Sequence, residues 1–118
     1  MQRIKRRQDF VAAAKALSQA QPSLVLQFRD RLDSEGPRIG FTCTKKLGNA
    51  VTRNRIKRRL KEAARLALPE LIRSGADYVV IGRSAAENRP FELLQSDLIS
   101  AMQRLHAKAA NAPEKSAP

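Results

Sequence analysis

Between Phe91 and Leu105 the apolar residues Phe91, Leu94, Leu98, Met102 and Leu105 recur at helical spacing behind Pro90, a residue suited to a first helical turn, and predict an amphipathic helix. The same periodicity in Ile56, Leu60, Ala63, Ala67 and Leu71 predicts a helix after Gly48 and Asn49, the latter a candidate N-cap. Pro69 bends or interrupts that helix and Gly75 closes it. A shorter stripe of Phe10, Ala14 and Leu17 in DFVAAAKAL predicts a first helix over 9–17, with Asp9 near its positive end. Elsewhere the period is two. LVLQF (24–28) sets Leu24, Leu26 and Phe28 against Val25 and Gln27, and RIGFTCTKK (38–46) sets Ile39, Phe41 and Cys43 against Gly40, Thr42 and Thr44. DYVVIGR (77–83) is a continuous run of β-branched type, which predicts a central strand covered on both faces. SQAQPS (18–23) reads as a turn and RDRLDSEGPR (29–38) as a flexible connection, so the first two strands are expected to pair as a β-hairpin.

This order predicts an α+β domain with a small sheet covered by helices, containing a βαβ unit that is right-handed by default. A chain of 118 residues fits one core, taken as residues 1–110, and the polar tail NAPEKSAP (111–118) is expected to be disordered. No apolar run approaches the roughly 20 residues that span a bilayer. The segment MQRIKRRQDF has no signal-peptide stretch, so a cytoplasmic protein without a membrane partner is expected. The lone Cys43 allows no internal disulfide and is read as core filling.

Charge changes the picture. Residues 45–65, KKLGNAVTRNRIKRRLKEAAR, carry nine Lys/Arg against Glu62, and residues 1–7 add Arg3, Lys5, Arg6 and Arg7, so these two segments account for the whole net charge of +12. At about 100° per residue, Asn54, Arg58, Lys61 and Arg65 fall opposite the apolar stripe of the middle helix. One side of this helix is core and the other is cationic. Such a face repels itself and is relieved by a polyanion, whose phosphate contacts release condensed counterions. Arginine predominates in TRNRIKRR and its planar fork suits phosphates and base edges, while Asn54 can both donate and accept. Nucleic acid is the indicated partner, ahead of an anionic membrane surface or an acidic protein. A second surface, the sheet face of Val25, Gln27, Gly40, Thr42 and Thr44 with Phe10 nearby, is either a single-strand groove or core covered by a helix. There is no catalytic constellation, no metal-ligand spacing and no phosphate-cradling glycine loop. His106 is read as a surface residue, and Asp77, Asp97 and Glu92 as solvated or capping groups.

The run from Lys45 to Arg65 closely resembles the signature of the bacterial ribonuclease P protein family, in which a strand ending in Lys-Lys leads through Gly-Asn-Ala-Val into Arg-Asn-Arg-x-Lys-Arg. The flanks agree over residues 3–106 in weaker form: a basic start followed by Asp-Phe, an Arg-x-Gly strand, Asp-Tyr before an apolar strand, and a last amphipathic helix. The resemblance implies a single-domain α-β sandwich, a sheet of about four strands with three helices and an unusual left-handed βαβ crossover (ribosomal protein S5 domain 2-like), in place of the default hand. It implies a protein subunit of a ribonucleoprotein that removes the 5′ leader of precursor tRNA, paired one to one with a catalytic RNA that performs Mg²⁺-dependent hydrolysis. Hence no protein catalytic residue and no protein metal site are expected. Lys45, Lys46, Asn49, Arg53, Asn54, Arg55, Lys57, Arg58, Lys61 and Arg65 would contact the catalytic RNA. Phe10, Val25, Gln27, Thr42, Thr44 and Lys45 would line a groove for the leader, with Ala14 and Gln27 standing where many relatives have aromatics. A ribosomal or other nucleic-acid-binding module without catalytic association is the alternative.

Overall fold

The computed structural model describes residues 2–111, so the predicted tail lies outside the described residues apart from Asn111. The elements are β1 (Gln2–Arg3), α1 (Arg7–Ala14), β2 (Leu17–Ala20), β3 (Leu24–Asp30), β4 (Arg38–Cys43), α2 (Ala50–Ala67), β5 (Ala76–Gly82) and α3 (Phe91–Asn111), with 3-10 turns at Lys45–Leu47 and Ser84–Glu87. Five strands form one sheet in the order β1-β4-β5-β3-β2. The fold is α+β with three α-helices, as expected, but the sheet has one strand more than four.

The predicted hairpin does not form. β5 lies between its two members, parallel to β4 and antiparallel to β3. The physical reason is in β5 itself: six of its seven residues are buried, and a strand apolar on both faces reaches that state only at the centre of a covered sheet. The real hairpin joins β3 to β2, within the stretch read as a turn, where Leu17 and Gln19 are half-buried between exposed Ser18 and Ala20. β4, α2 and β5 do make the βαβ unit. The 31–37 connection, read as flexible, is pinned by Arg31, which donates to Asp33, to Asp77 and to the carbonyls of Glu35, Gly36 and Ala76. Gly75 closes the same loop at φ 75°, its N–H 2.7 Å from the Glu35 carbonyl; a Cβ there would lie 2.4 Å from the Asp33 carbonyl oxygen.

The two faces of the sheet differ. Leu24, Leu26, Phe28, Ile39, Tyr78 and Val80 face α2 and α3 and meet Ile56, Leu60, Ala63 and Leu68 together with Leu94, Leu98, Met102 and Leu105, all buried. The other face carries α1 and a much smaller apolar cluster of Ile4, Ala13 and Val79, with Phe10 and Ile81 half-buried against it. Cys43 is half-buried at the edge of the larger core, and burial pushes its thiol above the usual range.

His106 is a correction. It is 9% exposed, stands four residues beyond Met102 on the buried stripe, and sets its ring edge against Phe28 and Tyr78 at centroid distances of 5.7 and 5.9 Å. Its Nε2 is 2.8 Å from the Tyr78 hydroxyl, which accepts the Arg73 backbone N–H at 3.1 Å. The Tyr78 hydroxyl thus accepts from Arg73 and shares a hydrogen bond with the imidazole, whose tautomer sets which of the two donates. Burial, with the positive charge of Arg73 adding to it, lowers the imidazole pKa below its ordinary value. A lowered native pKa means that the unfolded chain takes up a proton first. Stability is therefore highest above about pH 6.5, the ordinary His value, and falls as pH drops through the lower native value. Thermal melting between pH 7.5 and 5 should show this decline, and His106→Gln, which cannot titrate, should flatten it; an equally steep decline in the variant would reject the assignment.

Candidate nucleic-acid interface

Helix α2 begins where β4 ends. After the 3-10 turn, Gly48 takes φ 131° and Asn49 caps the helix, its Oδ1 accepting the Thr52 N–H at 2.9 Å. From this start the sequence sorts itself by face. Ile56, Leu60, Ala63 and Ala64 are at most 1% exposed, whereas Asn54, Arg58, Lys61 and Arg65 are all exposed. Lys45 and Lys46 are exposed on the turn at the helix base. Arg53 and Lys57 are half-buried and near enough to Cys43 to act on its thiol. On the other flank, Arg55 meets Glu87 at 3.2 Å. Arg59 donates to the carbonyls of Ala86, Glu87 and Arg89, fastening the 84–87 turn to α2. Arg65 is forked by Glu62 one turn earlier. The unbalanced face is thus Lys45, Lys46, Asn54, Arg58 and Lys61, with Arg53 and Lys57 along one border.

On the α1 side of the sheet an open groove of ≈ 510 Å³ brings together Phe10, Gln27 and Thr42, three of the six residues expected there. Val25 is on the same strand face but outside the lining; Thr44 and Lys45 are exposed beyond the end of β4. Val79 and Ile81 complete the floor, Ala14 and Phe41 the sides, and Lys5 and Arg7 a cationic rim. The floor was missed because β5 was not placed between β3 and β4. Once it is, the register sets Val79 beside both Gln27 and Gly40, and Ile81 beside Thr42. Gly40 makes room for the aromatic wall: a Cβ there would lie 2.6 Å from the Phe10 ring. Gly40→Ala is expected to displace that ring and cost about 1–3 kcal/mol of stability, the usual range for overpacking, measurable by urea unfolding. A cost below about 0.5 kcal/mol would show the ring to be loosely held.

Buried ions fix α1 beside the groove. Asp77, read from sequence as solvated or capping, has no exposed side-chain surface. Arg38 grips it through Nε and Nη2, both at 2.8 Å, Arg31 at 2.6 Å and Arg29 at 3.4 Å. Burial alone would raise this carboxyl, but the hydrogen bonds from Arg38 and Arg31 outweigh it and hold the pKa below the usual range. Arg29 and Arg38 also reach Asp9 of α1, at 3.1 and 3.4 Å, immediately before Phe10. Asp97, read in the same way, is buried too and holds Ser23 Oγ at 2.5 Å and Arg89 at 3.1 Å. Asp77 was misread because its partners come from elsewhere in the sheet, and Asp97 because Ser23 stands 74 residues away in sequence. Among the described residues, no group of three or more His, Cys, Asp or Glu is placed to hold a metal ion.

A cationic helix face and a groove with an aromatic wall form a surface suited to a phosphate chain with exposed bases. The sequence profile of the Ribonuclease P family matches residues 1–106. The chain belongs to the ribonuclease P protein family. Among its relatives, the ribonuclease P protein component of Ruegeria pomeroyi is 53% identical over 107 residues, covering 88% of this chain and 86% of that one. That of Paramagnetospirillum magneticum is 42% identical over 127 residues, covering 100% and 96%. Among solved structures, the RNase P protein of Staphylococcus aureus superposes with a TM-score of 0.72 at 30% identity, covering 88% of this chain and 94% of that one. The RNase P protein of Thermotoga maritima gives 0.72 at 27%, covering 88% and 97%. Family membership makes the protein an RNase P subunit that acts in tRNA processing with the RNase P RNA, and sets aside the ribosomal-type alternative.

Proposed function

We propose that α2 binds the catalytic RNA of RNase P through Lys45, Lys46, Asn49, Arg53, Asn54, Arg55, Lys57, Arg58, Lys61 and Arg65, and that the α1 groove takes the 5′ leader of precursor tRNA. The observation that carries this reading is the presence, on opposite faces of one sheet, of two unlike surfaces. One is an exposed cationic face and the other an open groove with Phe10 on its wall and Lys5 and Arg7 on its rim. The first suits a folded backbone read mainly by charge, and the second an unpaired strand. Val25, Thr44 and Lys45 would extend the leader path past the groove mouth rather than line it. Gln27 and Ala14 offer no ring, so Phe10 supplies the stacking surface.

Hydrolysis is assigned to the RNA subunit, with one protein per RNA, in the cytoplasm. Asp9 and Asp77, the carboxylates nearest the groove, are gripped by arginines, so the Mg²⁺ ions are assigned to RNA and substrate phosphates. The protein's share is to neutralise and position. Reconstitution with the RNA, comparing precursor with mature tRNA at low Mg²⁺, should show affinity enhancement for the precursor alone. Equal enhancement of both would reject the leader groove and leave the α2 interface standing.

A further inference from the structure

A second cavity, of ≈ 460 Å³, opens between β4 and α2, lined by Phe41, Lys61, Ala64, Arg65, Pro69 and Ile72. Its volume lies in the range of small-molecule sites, roughly 300–1,000 Å³. Three features of the fold keep it open. β1 pairs with β4 only at Arg38 and Ile39, so no strand lies outside Phe41. Ala64, buried on α2, offers only a methyl group where a larger side chain would fill the space. Pro69 falls just past the C-cap Leu68, so α2 stops at the edge of the cavity. The lining is an aromatic ring, three aliphatic groups and two cations, and Glu62 holds the Arg65 guanidinium in place. Phe41 also borders the α1 groove, so the cavity lies between the two surfaces assigned to RNA.

An aliphatic partner side chain would leave Lys61 unanswered, Arg65 being paired already with Glu62, and a bare phosphate would leave Phe41, Pro69 and Ile72 unused. A flat heterocycle tethered to a phosphate uses all of them, because aromatic stacking tolerates any base and the cations meet the backbone. We propose that this cavity receives one unpaired nucleotide, with its base between Phe41 and Ile72 and its phosphate at Lys61 and Arg65. The inference rests on the reading that α2 lies against RNA. The nucleotide comes either from the RNase P RNA or from the precursor leader.

Two variants of opposite sterics test it: Phe41→Leu removes the ring and Ile72→Trp fills the cavity. Each is first checked by thermal melting, then titrated at several salt concentrations with the RNase P RNA of the same organism. The reconstituted holoenzyme is titrated likewise with precursor and mature tRNA. Both variants are expected to weaken binding roughly 5- to 150-fold, the range one stacked base supplies, and Phe41→Leu to leave the salt slope unchanged because it removes no phosphate contact. Weakened binding of the RNA alone assigns the nucleotide to the RNase P RNA; weakened binding of precursor but not mature tRNA by Ile72→Trp, which lies outside the α1 groove that Phe41 also borders, assigns it to the leader. Unchanged affinities in folded variants overturn the proposal, as does a shallower salt slope in Phe41→Leu, which would mean that only Lys61 or Arg65 had moved. Arg58→Ala, titrated in parallel, separates the two readings: if it too leaves RNA binding and slope unchanged, the α2 interface itself fails.

Discussion

Replacing Asp77 by alanine is expected to cost the fold about 3–5 kcal/mol, the range found when one partner of a buried ion network is removed. The whole stability of a chain of this size is of the order of 6–18 kcal/mol, so the variant should be marginal at physiological temperature. The cost has an identifiable source. Arg31, whose side chain is only 7% exposed, would lose its carboxylate at the sheet, and Arg38 would lose both hydrogen bonds of its fork. Asp77→Asn keeps the volume but not the charge and should recover only part of the loss. The carboxyl is held below its ordinary range, so its contribution is present above about pH 4 and disappears as pH falls through the lower native value. Acid unfolding of the natural sequence should therefore show a limb that Asp77→Asn lacks. Urea titration at neutral pH giving less than 1 kcal/mol for Asp77→Ala would contradict the network.

Changing Lys45, Arg58 and Lys61 together to alanine should do the reverse, sparing the fold and damaging assembly. All three are exposed, so each change should move folding stability by no more than about 0.5 kcal/mol. Loss of three phosphate contacts should make the salt dependence of RNA binding shallower by roughly 2–3 and lower the affinity roughly thirty- to a hundredfold at physiological ionic strength. Filter-binding titrations of the RNase P RNA across a salt series measure both quantities. An unchanged slope would remove these residues from the interface.

What could be read from sequence followed the range of the forces involved. The stripes of α2 and α3 are local patterns, and their buried positions, from Ile56 and Leu60 to Leu98 and Met102, are buried in the fold. The exposed face of Asn54, Arg58, Lys61 and Arg65 was equally plain, since one helix determines both of its sides. Strands of two and four residues at the sheet edges, β1 and β2, carry too few positions to show a period. Sheet order depends on pairings up to dozens of residues apart, so the hairpin inference failed although the central position of β5 was evident. Asp77 illustrates the same limit. Its burial is intelligible only when Arg29, Arg31 and Arg38 arrive from β3, the connection after it and β4, although its place at the head of an otherwise apolar strand was a usable sign. Gln27 and Thr42 of the groove were legible because alternation assigns a face; its floor was not, because alternation says nothing about neighbours.

The unequal halves of the sheet bear on how such a protein can change over time. Nearly all of the apolar packing lies under α2 and α3, whereas α1 is fastened by Asp9, Ala13 and the ring of Phe10. Drift along the remaining, solvent-facing positions of that short helix can re-cut the groove at little energetic cost, leaving the rest of the architecture untouched. Substrate preference and structural integrity are in this way placed under separate selection within one small chain.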